Sequence, residues 1–148
     1  MSLKAILAAK GDEVVSISST ADLVAATKLL KKRQIGVLVV LDAGGRLVGI
    51  LSERDIVHAM AENGAAVLGL TVSQVMTAKV STCEVSDSIS SVMERMTDGK
   101  FRHMPILDKD RLAGMVSNRD LLKWHLETIR EHMRKLEASF GEFDLMRL

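Results

Sequence analysis

Ser52, Arg54 and Asp55 recur 65 positions later as Ser117, Arg119 and Asp120, inside the stretches GILSERD (49–55) and GMVSNRD (114–120). A serine hydroxyl can donate to a phosphate oxygen. A carboxylate three residues on can accept from the vicinal hydroxyls of a ribose. If each stretch joins a strand to the start of a helix, free backbone N–H groups and the positive helix end face the same point. Arg54 and Arg119 add charge nearby. A phosphate donor beside a ribose reader describes a nucleotide better than a free sugar or a free phosphate. The same pattern has a plainer reading, because Ser-x-x-Asp at a helix start is a reciprocal cap.

Other chemistry finds little support. His58, His103, His125 and His132 are scattered, and no HExxH or paired-cysteine spacing offers a metal site. His125 and His132 lie two helical turns apart, too far to share a ligand. Cys83, the single cysteine, falls in a strand position equivalent to Ile17 and reads as a small buried apolar residue. No GxSxG, Walker or GxGxxG pattern occurs. The expectation is a chain without catalysis and without a metal.

The elements that must position the motif repeat with it. Downstream of the turn DAGGR the register is 65; upstream it is 66, because that turn shortens to DKDR in the second copy. Asp42 meets Asp108, Thr20 meets Ser86, Leu23 meets Ile89 and Leu30 meets Met96. Copy one reads as a strand over 14–17 and a helix capped by Thr20, with Asp22 in its first turn. A buried strand over 36–41, a hairpin, a strand over 47–51 and a helix from Ser52 to about Glu62 follow. Copy two gives a strand over 80–84, a helix over 86–98, strands over 101–107 and 112–116, and a helix from Asn118. Thr71 with Gln74 predicts a capped short helix over 72–76, and 4–9, ended by Gly11, resembles its counterpart. Leu122, Leu126, Ile129, Met133 and Leu136 extend an apolar stripe well past the second repeat.

The chain has 148 residues, 47% apolar and 26% charged, with 20 Lys+Arg against 19 Asp+Glu. Such a composition suits a globular core and gives no net basic field for nucleic acid. An aromatic content of 3% argues against a stacking platform for single strands. No apolar run spans a bilayer and no signal peptide opens the chain, so the expectation is a cytoplasmic protein that avoids membranes.

The duplicated β-α-β-β-α unit, with VGILSERD, AGMVSNRD, MTAKVST (76–82) and FRHMPI (101–106), resembles a tandem pair of CBS domains, the cystathionine-β-synthase-type regulatory repeats. The likeness covers roughly residues 4–127. It implies an α/β fold in which two repeats pack as one pseudo-twofold module with two clefts, here with a long C-terminal helix. Residues 4–62 would form repeat one with its short preceding helix, 63–70 a linker, 71–127 repeat two, and 128–148 the helical extension and tail. Such clefts commonly bind adenine nucleotides, so the ligand implied is AMP, with NAD(H) or ATP as further candidates. Asp55 and Asp120 would read ribose, Ser52 and Ser117 would face phosphate, and Arg54 and Arg119 would stand nearby. Ser16 and Thr82 match the family's first-strand polar position, and Arg102 and His103 its basic pair.

The function implied is a stand-alone sensory module whose output passes through a regulated protein of unknown identity. The rival is a purely structural interaction module whose Ser-x-x-Asp segments are only caps. Apolar positions Ile56, Val57, Met60, Leu121 and the stripe Leu122–Leu136 imply a homodimer. If the basic pair shares a cleft with its own repeat's motif, the Asp120 cleft is the tighter one, because copy one has Gly36 and Val37 at the equivalent places.

Overall fold

Each repeat is preceded by a short helix, and each of these helices packs into the core of the other repeat. The computed structural model describes residues 2–146. It opens with α1 (Leu3–Lys10), followed by β1 (Ser16–Ser18), α2 (Leu23–Arg33), β2 (Val37–Leu41), β3 (Leu47–Ser52) and α3 (Glu53–Asn63). Then come α4 (Val72–Val75), β4 (Cys83–Glu84), α5 (Ile89–Gly99), β5 (His103–Asp108), β6 (Arg111–Ser117) and α6 (Asn118–Leu145). The fold is α/β, built as two repeats with a long terminal helix. The two sheets have orders β1-β2-β3 and β4-β5-β6, each with one parallel and one antiparallel pairing.

The 66-residue register of the sequence is the register of the ladders. Ile17 pairs with Val40, and their equivalents Cys83 and Ile106 pair likewise. Val37 pairs with Ser52 and His103 with Ser117, and both hairpins carry an irregularity at the equivalent place, between Val40 and Leu41 and between Ile106 and Leu107. The first turn is held by Asp42, whose Oδ1 accepts from Gly44 N and Arg46 N at 2.9 Å.

Leu3 and Ile6 of α1 are fully buried with Cys83, Val92, Met96, Met104, Ile106, Val116 and Leu121 of repeat two. Val72 of α4 and Val67 are buried instead with Leu23, Ala26, Leu30, Leu38, Val40 and Leu51 of repeat one. Chain order grouped α1 with repeat one; packing groups it with repeat two. The uncharged stretch 63–70 is a 3-10 helix over Gly64–Gly69 whose Val67 is a core residue.

Two helix starts differ from the sequence reading for one reason. Two capping side chains stood in each window, and the second one caps. Asp22 accepts from Ala25 N at 2.7 Å and starts α2, while Thr20 bonds Ser18 inside the preceding turn. Its equivalent Ser88 starts α5 by accepting from Ser91 N, so that helix begins after Ser88 and not at Ser86. Leu121, expected on an exposed helix face, is fully buried.

Candidate functional site

The starts of β2 and β5 and the junction between β3 and α3 converge on a cleft of about 460 Å³. Ser52 ends β3 in extended backbone, and Asp55 sits in the first turn of α3. Ser52 Oγ accepts from Asp55 N at 3.2 Å, and Asp55 Oδ2 accepts from Ser52 N at 2.9 Å and lies 3.0 Å from Ser52 Oγ. This is the reciprocal cap of the plainer reading, and it fixes the carboxylate at the cleft wall. Asp55 Oδ1 accepts from Thr77 Oγ1 at 3.3 Å, which ties the inter-repeat segment to the motif. Thr77 also exchanges both backbone hydrogen bonds with Ile50, at 2.9 and 3.0 Å.

Of the residues singled out in the sequence, Ser52, Arg54, Asp55, Arg102 and His103 line this one cleft. The basic pair of repeat two therefore faces the motif of repeat one. The pair also stays beside its own motif, since His103 pairs with Ser117 across β5 and β6 and feels the charge of Asp120; what the sequence reading did not expect is that the equivalent strand starts, Gly36–Val37 and Arg102–His103, line one cleft. Lys79 and Lys100 line the same cleft, and the sequence reading passed over both. Lys79 lay inside the quoted stretch 76–82. Lys100 caps α5 in left-handed backbone at φ 56°, as its equivalent Gln34 caps α2 at φ 54°.

His103 is half-buried, and its imidazole is held below its ordinary value by burial, with the charges of Lys10 and Arg102 adding and that of Asp120 opposing. That shift favours the neutral imidazole, which can both donate and accept.

The second motif is arranged differently. Ser117 N donates to Asp120 Oδ2 at 2.9 Å and Asp120 N donates to Ser117 Oγ at 3.1 Å. Lys10, at the end of α1, places Nζ 2.6 Å from Asp120 Oδ2 and donates to Met115 O at 2.8 Å. Burial acts to raise the Asp120 carboxyl, but the Lys10 ammonium and the Ser117 N–H and hydroxyl outweigh it and hold the group below 3.8. Arg119 is exposed. Ser16 is exposed on β1, and Thr82 lines a separate groove of about 690 Å³ between Arg46 and Arg111. Neither Ser16 nor Thr82 lines the Asp55 cleft.

Cys83 is buried, and burial pushes its thiol up to about 11, consistent with the apolar role read from its register. Among the described residues no helix is long and apolar enough to cross a membrane.

Comparison with known proteins gives a consistent picture. The CBS domain family model matches residues 10–62 and 72–127. A CBS-domain containing protein of Agrobacterium tumefaciens is 40% identical, with a TM-score of 0.80 over 82% of this chain and 91% of that one. The CBS domain pair of the protein MJ0100, solved in complex with 5′-methylthioadenosine and S-adenosyl-L-methionine, is 26% identical, with a TM-score of 0.76 over 86% of this chain and 98% of that one. A mitochondrial CBS domain-containing protein of Arabidopsis thaliana is 30% identical over 76% of this chain. This chain spans 57% of that relative's length and 58% of that of a relative from Acidianus ambivalens, less than two thirds in both cases.

Proposed function

The chain belongs to the CBS-domain family, and on that premise we propose that it is a regulatory module that binds an adenine nucleotide in the cleft between its repeats and catalyses nothing itself. One observation carries the reading: the Ser52–Asp55 motif and the basic residues of repeat two line a single cleft. The adenosine ligands of the MJ0100 domain pair lend it support.

In this reading Asp55 accepts from the ribose hydroxyls. A carboxylate has about four acceptor directions, so the three bonds from Ser52 N, Ser52 Oγ and Thr77 Oγ1 leave one for a ribose hydroxyl. Ser52 and the Arg102 guanidinium face the phosphate, which a planar fork suits. His103 supplies a neutral donor beside them. Binding then biases the arrangement of the two repeats by whatever difference in affinity the arrangements have. The output passes to a partner protein or through a homodimer, and a cytoplasmic location goes with this role. The Asp120 motif is the weaker site, because a ribose there must displace Lys10.

The rival reading, an interaction module without a ligand, draws on the caps just described and on the exposed apolar face of α6. A thermal-shift panel of AMP, ADP, ATP, NAD+, NADH and S-adenosylmethionine separates the two. A rise in Tm with an adenine nucleotide, lost in Asp55→Ala, is the expected result. No rise with any member overturns the nucleotide reading.

A further inference from the structure

Six apolar residues of α6 follow one another at spacings of four, three, four, three and four: Leu122, Leu126, Ile129, Met133, Leu136 and Phe140. Each keeps 43–71% of its surface in water. Other positions anchor the helix to its own repeat, with Leu121 fully buried and Trp124 packed against the same core. We propose that this seam is one half of an antiparallel two-stranded coiled coil, and that the other half is α6 of a second copy. The pairing holds whether or not the Asp55 cleft takes a nucleotide.

A helix laid on a globular core shows a broader stripe, in which a third position of each heptad is also apolar. Here the residues beside the seam are polar on both flanks: Lys123, Arg130 and Glu137 on one, His125, His132 and Ser139 on the other. A stripe only two positions wide in seven fits a single partner helix, whose side chains enter the gaps between its own. Antiparallel alignment centred on Glu131 sets Leu122 against the partner's Phe140, Leu126 against the partner's Leu136 and Ile129 against the partner's Met133. All six residues of each copy are then covered.

Charge selects the direction. In an antiparallel pair like flanks face each other, so Lys123 lies opposite the partner's Glu137, and twofold symmetry repeats the match. Arg130 meets the partner's Arg130 at the axis, where both exposed side chains are long enough to turn apart into solvent. In a parallel pair unlike flanks face each other. Arg130 then stands beside the partner's His125 and Glu137 beside the partner's His132, and the match of lysine with glutamate is lost.

Nitroxide labels on Glu131→Cys and on Ala138→Cys test the direction in the whole chain, through the distance between labels on the two copies. Both positions are exposed and lie off the seam, and the native Cys83 is buried. In the antiparallel pair the two Glu131 positions lie level, whereas the two Ala138 positions stand fourteen residues apart along the axis, about 21 Å. The label distance is expected to be longer for Ala138→Cys by at least about 5 Å; a parallel pair gives equal distances. In sedimentation Lys123→Glu sets carboxylates opposite each other at both ends and is expected to weaken the dimer at least about five-fold. Lys123→Glu/Glu137→Lys is expected to return it to within about two-fold of wild type, which a damaged fold would not do. Equal distances, no measurable distance at either position, no recovery in the double variant, or a wild-type chain that stays monomeric each overturns the pairing. All of these outcomes are separate from nucleotide binding, which the thermal-shift panel reads.

Discussion

Lys10 Nζ lies 2.6 Å from Asp120 Oδ2 and gives to the second repeat, through one ammonium group, what Thr77 gives to the first through two groups. Thr77 N donates to Ile50 O and Thr77 Oγ1 to Asp55 Oδ1. Lys10 Nζ donates to Met115 O, the equivalent of Ile50 O, and to Asp120. The difference arises because α1 ends at Lys10 and the chain turns away at Gly11, whose φ is 95°. After α4 the chain instead runs on, extended, along the edge of β3. The two motifs are alike in residue type and unlike in charge: Asp120 is already neutralised from within.

Unequal binding follows. Asp55→Ala is expected to abolish the tight nucleotide event in calorimetry, and Asp120→Ala to leave it within about three-fold. Lys10→Met, which installs the side chain that repeat one carries at the equivalent Met76, is expected to reveal or strengthen a second event. The variant is also expected to lose about 1 kcal/mol of stability, as a partly exposed ion pair usually contributes no more. A second event that is equally strong before and after the substitution would show that Lys10 does not guard Asp120.

Acid should weaken the fold by two separable routes. His103 is held below its ordinary 6.5 in the folded chain, so the unfolded chain takes up a proton first and stability declines as the pH falls below about 6.5. Asp120 is held below 3.8, so its contribution is complete above that value and is lost as the pH falls through the lower folded value. Chemical denaturation across pH 3 to 8 is expected to give a flatter curve below about pH 6.5 for His103→Gln, and below about pH 4 for Asp120→Asn. Parallel curves for wild type and variants would remove both groups from the account.

How far these relationships were legible in the sequence depends on their range. The likeness of the two ladders was legible, because Asp42–Asp108 and Ile17–Cys83 obey one register and a strand pair cannot slip by one without turning its core face outward, while the outer strands, read as 14–17 and 80–84, are Ser16–Ser18 and Cys83–Glu84. Capping was legible only as a choice between neighbours, since Thr20 and Asp22 both can cap and the Ser18 hydroxyl decided which was free. The crossing of α1 into repeat two was not legible. Leu3 and Ile6 announce a buried face, but periodicity does not say against what. That Arg102 lines the Asp55 cleft was not legible for the same reason: strand starts that meet across a pseudo-twofold relation leave no mark in local spacing.

The crossing of the short helices leaves no room for a Cβ at two glycines unless a neighbouring side chain moves. A Cβ at Gly49 would run into Met76 Sδ, and one at Gly114 into Leu7 Cδ2. Each is the point where a segment outside the repeat lies directly on a hairpin strand. Gly49→Ala and Gly114→Ala are each expected to cost about 1–3 kcal/mol in urea denaturation, the usual range for overpacking. Gly114→Ala is expected to be the milder, because the two methyl branches of Leu7 can turn away while Gly49 also faces the Thr77 carbonyl at 3.1 Å from the added carbon. Losses below about 0.5 kcal/mol at both sites would mean that the helices shift freely over the sheets.

The last expectation concerns assembly. Leu122, Leu126, Ile129, Met133 and Leu136 follow one face of α6, and each keeps between 43% and 58% of its surface in water. Phe140 continues the line, and Val57 and Met60 on α3 and Leu68 beyond it are exposed as well. Twenty-eight residues at about 1.5 Å each make α6 some 42 Å long, so its stripe runs well past the repeat it starts from. An apolar patch of that extent is more than a monomer usually exposes, and a second copy presents the same face to cover it. Sedimentation at micromolar concentration is expected to give a species of twice the 16.2 kDa chain. Leu126→Glu/Met133→Glu is expected to give a monomer with ATP affinity within about two-fold of wild type, since neither position lines the Asp55 cleft. A wild-type chain that sediments as a single 16.2 kDa species would remove the dimer and leave the stripe for a different partner.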